Sequence, residues 1–391
     1  MLHLNTERTW RGGEQQTAYL MEGLAARGVP QLLVAQKGGA LAERAAAQGL
    51  PVVPMRLRGE ADLPAVLALA SLVRERRLNV VHAHTSHAHT LGSLAAALLG
   101  ARAPKVIVAR RVDFSIFRRS FLGLNSLKYR YGVDRYVAVS QAIKRVLVAD
   151  GLPPGRIDVV HSGIDVGRID AAPDRRDAIR AELSVPPGHA LVANVAHMAD
   201  HKGQVYLVDA IPRILERFPR TTFAIVGDGE LRGALEARSR ELGVAGSLRF
   251  PGFRGDVPTI LKALDVFVMP SHMEGLGTSV LDAMAARVPV VGTEAGGMPE
   301  ILEHGRNGLV CPIRDSGAIA RSVVELLADP ERARRLAHQA RADVVARFSR
   351  EAMVAGTLGV YTSVLASRRV DRAATQAAPG PAASHPPGDA A

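Results

Sequence analysis

Two carboxylates, Glu274 and Asp282, stand on either side of a glycine-containing loop within residues 265–300. Residues 266–269 form a short apolar run with β-branched side chains, which is typical of a buried parallel strand. Residues 278–286 carry apolar side chains at helical spacing. The sequence therefore predicts a strand, a loop and a helix, with one acid just before the helix and the other within it.

This order of elements predicts an anion-binding site. The first amides of the helix, around Gly277, Thr278 and Ser279, have no acceptor within the helix and carry the positive end of its dipole. Gly275 and Gly277, on either side of Leu276, allow the backbone to approach a ligand closely. A phosphate is the natural ligand of such a helix start.

The two acids need a different role, because a carboxylate repels a phosphate. We interpret Glu274 and Asp282 as acceptors of hydrogen bonds from the hydroxyls of a sugar or a ribose. The structural alternative is that Glu274 caps the helix and Asp282 is simply exposed.

A second cluster of polar residues follows the apolar strand at residues 191–196. Lys202 can neutralise a diphosphate there, and His197 can add a hydrogen bond. The alternative is an ordinary solvated loop.

The elements that position these residues alternate between strands and helices. In the first half, strands are predicted near residues 2–5, 31–35, 52–55, 79–82, 105–109, 135–139 and 157–161. A charged, proline-containing stretch at 165–187 interrupts the pattern, which restarts at 191–196. This alternation predicts an α/β protein with two doubly wound parallel sheets, whose strand ends meet at one cleft. The tail at 367–391, rich in Ala, Pro and Gly, is predicted to be disordered.

Composition narrows the function classes. The 391 residues contain no apolar run long enough to cross a membrane, and the first residues lack the regions of a signal peptide, so we expect a cytoplasmic protein. The single cysteine, Cys311, fits a reducing compartment. Arg232 stands where the third glycine of a dinucleotide fingerprint would be, which argues against a nicotinamide cofactor. The net charge of +11 favours an anionic partner, whether nucleotide phosphates, nucleic acid or anionic lipid.

The first half holds two further patterns. A histidine run comprises His82, His84, His87 and His89, but no cysteine or acid joins it, so we predict no metal site there. Residues 110–131 interleave basic and apolar side chains, which is typical either of a segment on an anionic membrane surface or of an ordinary helix with a solvated basic face.

Six segments of the sequence, taken together and in order, resemble the retaining glycosyltransferases of family 4, which have the GT-B fold. Each segment alone is weak, whereas their order and spacing are specific, and the resemblance covers residues 2–366. The matching segments are residues 12–14, 80–84, 156–165, 202–203, 226–229 and 270–291, the last accompanied by 295–300.

The resemblance implies two Rossmann-like domains that face a central cleft. The first, at 1–165, would lie on the acceptor side, and the second, at 166–349, would bind a nucleotide sugar. A last helix at residues 350–366 would return to the first domain.

The resemblance also implies roles for residues of the second domain. Glu274 would hold hydroxyls of the donor sugar, and Lys202 would grip the donor diphosphate. Asp282 stands where the family usually has a glutamate that contacts the ribose, and His197 stands where an arginine is common. Both substitutions are departures from the family pattern.

Other positions are carried over from the family in the same way. Gly12 and Gly13 match a loop that lets the first helix approach the substrates, and Phe253 and Arg254 match the residues that hold the base. Residues 295–300 would supply amides near the sugar, with Glu300 at the positive end of its own helical turn.

On the acceptor side, His82 or His84 would line the cleft. Arginines replace a histidine that many family members have after the next strand, so Arg111 and Asp113 are predicted to contact the acceptor or the donor. Arg111 joins Glu274, Lys202 and His197 as a candidate catalytic residue.

The implied activity is transfer of a hexose-type sugar, with retention, from a nucleoside diphosphate to a saccharide or lipid-linked acceptor in cell-envelope polysaccharide or lipopolysaccharide synthesis. A UDP-sugar is the first expectation and GDP-mannose the second, with no cofactor or metal. Alternatives are a GT-B epimerase or phosphorylase, a glycan-binding relative without catalysis, and a basic nucleic-acid-binding protein. The absence of a recognisable nucleic-acid motif argues against the last.

Overall fold

The computed structural model describes residues 1–112, 115 and 128–377, with side chains described as far as residue 366. The described chain contains a 7-stranded and a 6-stranded sheet, and all the paired strands within each are parallel. Helices accompany both sheets, so the α/β prediction is confirmed.

The first sheet has the strand order β3-β2-β1-β4-β5-β6-β7. Its strands are β1 Leu2–Asn5, β2 Leu32–Gln36, β3 Val52–Met55, β4 Val80–Ala83, β5 Lys105–Arg110, β6 Arg135–Ala138 and β7 Ile157–Val159. Its helices are α1 Gly12–Ala25, α2 Ala40–Ala47, α3 Leu63–Glu75, α4 Ser86–Ala97 and α5 Gln141–Ala149.

The second sheet has the order β10-β9-β8-β11-β12-β13. Its strands are β8 Ala190–Val195, β9 Thr221–Val226, β10 Leu248–Gly252, β11 Val266–Met269, β12 Val290–Thr293 and β13 Leu309–Cys311. Two short helices, α6 Val166–Ala171 and α7 Arg176–Glu182, precede it. The others are α8 Gln204–Arg217, α9 Arg232–Glu241, α10 Val257–Lys262, α11 Thr278–Ala285, α12 Ser316–Ala328 and α13 Pro330–Arg347.

The central strands are buried along their whole length, as expected for parallel sheets covered by helices on both faces. Every residue of β1, β4 and β11 is buried. In each sheet the strand order reverses at the centre, between β1 and β4 and between β8 and β11. Ligands of doubly wound sheets bind outside the carboxyl ends of the strands at such a reversal.

The chain crosses between the domains twice, and the two crossings lie side by side. The Ile164 amide donates to the Phe348 carbonyl at 2.8 Å, and the Arg350 amide donates to the Ile164 carbonyl at 2.9 Å. The last helix, α14 Arg350–Ala377, then packs against α1 of the first domain.

The helix α14 continues beyond residue 366, where we predicted that it ends. Residues 367–377 are rich in alanine and arginine, which are strong helix formers, so the helix extends through Ala377. The remainder of the predicted disordered tail lies outside the described residues. In the described parts of the chain, no helix combines the length and apolar character that crossing a bilayer requires.

Candidate active site

The candidate site lies where the central strands of the two sheets end. The loop after β8 contains a 3₁₀ turn at Asp200–Lys202, and Gly203 follows with a φ of +63°. A Cβ on Gly203 would lie 2.2 Å from the Pro270 carbonyl oxygen, just after β11. Only glycine allows this approach, which brings Lys202 beside the loop that follows β11.

Lys202 and Glu274 form an ion pair in this loop. Lys202 Nζ lies 2.6 Å from Glu274 Oε2, and the two side chains are only 19% and 11% exposed. Ser271 Oγ also donates to Glu274 Oε2, at 3.3 Å. The two residues that we predicted from separate motifs therefore meet in one place.

The glycines of the predicted anion loop are required by close contacts. Gly277 has a φ of +95°, and a Cβ there would lie 2.7 Å from Met298 Sδ. A Cβ on Gly275 would lie 2.2 Å from the carbonyl oxygen of Arg111, which belongs to the first domain. The loop therefore packs directly against the first domain, and Leu276, between the two glycines, is buried.

Two helix N-termini face each other beside this ion pair. Gly277 caps α11 without a side chain, so the amides of Thr278 and Ser279 receive no side-chain cap. Thr278 Oγ1 lies 3.5 Å from the position that a Cβ on Gly12 would take, at the start of α1. Gly13 has open space around it. The uncapped start of α11 carries the positive end of its dipole, which suits an anion, whereas the first turn of α1 already holds the buried carboxylate of Glu14.

Asp282 lies on α11 behind this gap, near two residues that the sequence did not single out. Burial raises the pKa of Asp282 to about 7, and the charge of Arg168 opposes that shift only partly. The Tyr19 hydroxyl accepts hydrogen bonds from Arg168 Nη1 at 3.2 Å and from Gln15 Nε2 at 2.6 Å. Asp282 therefore lies close to the charge of Arg168, which belongs to α6 just after the first crossing between the domains.

The remaining donor-side candidates are more exposed. His197 Nε2 lies 3.2 Å from Glu230 Oε2, and its side chain is 42% exposed. The Arg254 guanidinium is held by Asp256 and Glu182, whose hydrogen bonds raise its pKa. Phe253 is 69% exposed. Of the pair predicted to hold a base, only Phe253 offers a free side-chain surface.

The histidines predicted to line the acceptor side are buried instead. His82 is 2% and His84 is 5% exposed, because His82 belongs to the central strand β4 and His84 follows it directly. His82 Nδ1 lies 2.6 Å from the Tyr361 hydroxyl of α14. Both side chains are closed off from solvent, so they expose almost no surface with which to line the cleft as predicted.

Arg111, which directly follows β5, contacts one of these buried histidines. Its Nη1 donates to the His84 carbonyl at 3.1 Å, and Nη2 lies 3.3 Å from His84 Nδ1. Burial lowers the pKa of Arg111 to about 10, although the charge of Glu14 acts in the opposite direction. The predicted partner Asp113 lies outside the described residues.

A histidine cluster exists, but its members differ from the predicted run. His3 of β1 pairs in register with His82 and lies 3.0 Å from His84, between His3 Nδ1 and His84 Nε2. Ligand atoms of these three rings lie within 4.8 Å of one another, and burial lowers the pKa of each ring. The lowered pKa values favour neutral rings, which could bind a metal ion, but the charge of the adjacent Arg111 guanidinium would repel such an ion in this buried place.

Sequence patterns could not reveal His3, Tyr19 or Arg168 as part of the site. The residue pattern of β1 predicts only which of its residues share a face with His3. That His3 lies beside His82 depends on β4 being the neighbour of β1, which the sequence does not show. Glu300 lies in the first turn of the 3₁₀ helix Met298–Glu300, as predicted, but its carboxylate accepts hydrogen bonds from the Gln141 and Ala142 amides of the first domain, which the sequence did not reveal.

Comparison with known proteins identifies the family. The family model described as Glycosyl transferases group 1 matches residues 175–343, and the model described as Glycosyltransferase Family 4 matches residues 10–168. The 2-deoxystreptamine N-acetyl-D-glucosaminyltransferase of Streptomyces fradiae is 33% identical over 373 residues, covering 86% of this chain and 87% of that protein. The chain belongs to glycosyltransferase family 4.

Two further similarities support this assignment. The lipopolysaccharide core biosynthesis glycosyltransferase LpsE of Rhizobium meliloti is 34% identical over 212 residues, which are 54% of this chain and 58% of that protein. The crystal structure of HepE from Anabaena in complex with UDP superposes with a TM-score of 0.81 at 22% identity, covering 93% of this chain and 99% of that one. The predicted family and its GT-B fold are therefore confirmed.

Proposed function

We propose that this family 4 glycosyltransferase transfers a hexose-type sugar, with retention, from a nucleoside diphosphate to a saccharide or lipid-linked acceptor. The observation that carries the proposal is the Lys202–Glu274 ion pair beside the uncapped N-terminus of α11. This arrangement offers positive charge to a diphosphate and a carboxylate to sugar hydroxyls within one cleft.

The chemistry follows from where charge develops. When the anomeric C–O bond breaks, the sugar becomes oxocarbenium-like and the nucleoside diphosphate gains negative charge. Lys202 and the amides of Thr278 and Ser279 would stabilise that charge. The acceptor hydroxyl attacks from the side that the diphosphate leaves, and a departing phosphate oxygen takes its proton. No residue needs to form a covalent intermediate with the sugar.

A UDP-sugar is the first candidate donor, and a GDP-sugar is the second. The structural relative HepE was crystallised with UDP, and another structure of it contains UDP-glucose. The name of the LpsE relative supports a role in lipopolysaccharide or other cell-envelope glycan synthesis. The exposed Phe253, which follows the edge strand β10, is a surface on which a uracil or guanine ring could stack.

The test of the donor is a thermal-shift screen with UDP-, GDP-, ADP- and TDP-sugars, because a ligand that binds only the native state raises its melting temperature. A shift that is lost in Lys202→Ala supports the proposal. The stabilising donor is then incubated with saccharide and glycolipid acceptors, and the anomeric configuration of the product is read by NMR. Transfer with inversion, or interconversion of the donor into an epimer, would contradict it.

We also propose that the enzyme works as a peripheral protein on an anionic membrane surface. Leu63 and Leu67 of α3 are 66% and 62% exposed, and Leu98, just after the adjacent α4, is 59% exposed. Exposed arginines follow in and after α3 at residues 74, 76 and 77. Apolar side chains with a basic border match a lipid interface with anionic headgroups. Most of the basic segment predicted for this role, residues 110–131, lies outside the described residues.

A further inference from the structure

Glu300 forms a contact between the domains that no catalytic role requires. It ends the 3₁₀ turn Met298–Glu300 after β12. Its Oε2 accepts a hydrogen bond from the Gln141 amide at 2.9 Å, and Oε1 accepts one from the Ala142 amide at 2.9 Å. These are the first two residues of α5 in the first domain, so one carboxylate satisfies two amides that have no partner within their helix.

A third group completes this contact. His161, which follows β7 in the first domain, places Nε2 3.0 Å from Glu300 Oε2. Burial alone would raise the pKa of Glu300, but the hydrogen bonds from His161, Gln141 and Ala142 outweigh it and hold the pKa below its usual range. The carboxylate is only 16% exposed and is held by groups that favour its charge.

The same contact reaches the crossing between the domains. The His161 ring packs edge-on against Phe348, with ring centroids 5.2 Å apart. The Phe348 carbonyl accepts the hydrogen bond from the Ile164 amide, which joins the two segments that cross between the domains. Arg347 Nη2 donates to the Glu300 carbonyl at 3.3 Å. Glu300 therefore contacts both the first domain and the crossing between the domains.

On its other side, the turn of Glu300 is bonded to the donor loop. The Gly297 amide donates to the carbonyl of Glu274 at 2.9 Å. A Cβ on Gly297 would lie 2.3 Å from the Gly275 carbonyl oxygen and 3.0 Å from Ser140 Cβ, the residue before α5. A shift of Glu300 would be transmitted through this packed turn to the backbone of Glu274, because there is no free space to absorb it.

We propose that Glu300 is a positioning residue that holds the donor loop against α5 and thereby keeps Glu274 facing the first domain across a closed cleft. The inference rests on the proposed function. The diphosphate contacts at Lys202 and α11 belong to the second domain alone, whereas transfer needs both domains. Loss of the contact should therefore reduce transfer without weakening diphosphate binding.

The test compares Glu300→Gln, Glu300→Asp and the wild type. In Glu300→Gln an amide group replaces one of the two acceptor oxygens, and in Glu300→Asp the shorter chain cannot reach both amides. Glu303→Gln is the matched control, since Glu303 is 66% exposed and pairs with Arg306 in the same segment. Measurements are the melting temperature, the Kd for UDP and for GDP, the kcat for turnover of the stabilising nucleotide sugar, and the radius of gyration from X-ray scattering.

We expect both Glu300 variants to lose about tenfold to hundredfold in kcat, as for a misplaced reacting group. The Kd for the diphosphate should stay within about twofold of the wild type, the radius of gyration should rise, and Glu303→Gln should match the wild type. Unchanged kcat and scattering in a folded variant would overturn the inference, as would an equal loss of diphosphate affinity. If the wild type binds no nucleoside diphosphate, the proposed function fails, whereas the scattering comparison still decides whether Glu300 holds the domains together.

Discussion

At the scale of single residues, the two acids of the site differ in whether their surroundings favour the charged or the neutral form. Glu274 is paired with the Lys202 ammonium, whereas burial favours the neutral form of Asp282. Two acids that look equivalent in the sequence therefore have opposite electrostatic surroundings. We expect them to respond differently to removal of their charge.

Glu274→Gln should leave the protein folded but reduce sugar transfer by at least about a hundredfold, as for loss of a group that stabilises charge in the transition state. The amide keeps the shape of the side chain and can still accept a hydrogen bond from Lys202, but it has no charge with which to form the ion pair. Donor turnover and the melting temperature should be measured together. Near-normal turnover would mean that Glu274 does not hold the donor sugar.

Asp282→Asn should change how stability depends on pH. The pKa of this carboxyl is about 7 in the folded protein, whereas its ordinary value, expected for the unfolded chain, is 3.8. Between these values the folded state binds the proton and the unfolded state does not, so stability falls as pH rises. The variant should therefore be more stable than the wild type at pH 8, by up to about 4 kcal/mol, and equal to it near pH 4.

Urea unfolding at several pH values measures this effect. Asp177→Asn, on an exposed carboxyl at the start of α7, serves as the control and should leave the pH profile of the wild type unchanged. A wild-type stability that rises relative to that of Asp282→Asn between pH 4 and pH 7 would show that Asp282 is ionised when folded.

At the scale of elements, the glycines determine how closely the donor loop approaches the first domain. Gly275→Ala places a methyl group 2.2 Å from the Arg111 carbonyl, so the loop or the domain must move. We expect a loss of about 1–3 kcal/mol in stability and a larger relative loss of transfer. Gly233→Ala in α9, where the added methyl has open space, should be neutral or slightly stabilising. Urea unfolding and donor turnover of both variants measure the two effects, and wild-type values for Gly275→Ala would show that the loop has room to move.

The order of elements could be predicted because strands and helices leave local patterns in the sequence. Hydrophobic runs, glycines and the break at 165–187 were sufficient for two parallel sheets, and family motifs located Lys202 and Glu274. The contact between Glu300 and Gln141 could not be predicted, since 159 residues separate them and only strand order and domain packing bring them together. For the same reason His82 looked like a cleft residue, although the tertiary fold buries it.

At the scale of the whole molecule, exposed leucines occur on α3 and just after α4 of the first domain, and exposed arginines occur in and after α3. We expect vesicles that contain anionic lipid to co-sediment the protein at low salt and release it at high salt, because the Debye length shortens as ionic strength rises. Leu67→Glu on α3 should reduce this binding by replacing an exposed apolar side chain, one helical turn from the exposed Leu63, with a negative charge. Val345→Glu on α13, at a position 50% exposed in the second domain, is the matched control and should bind like the wild type.

Both variants should keep the melting temperature and the diphosphate affinity of the wild type, so that a difference in sedimentation reports on the surface alone. Equal binding by the two variants, or indifference to lipid charge, would remove α3 and α4 from the membrane contact and leave the catalytic proposal untouched, since the cleft is built from other elements.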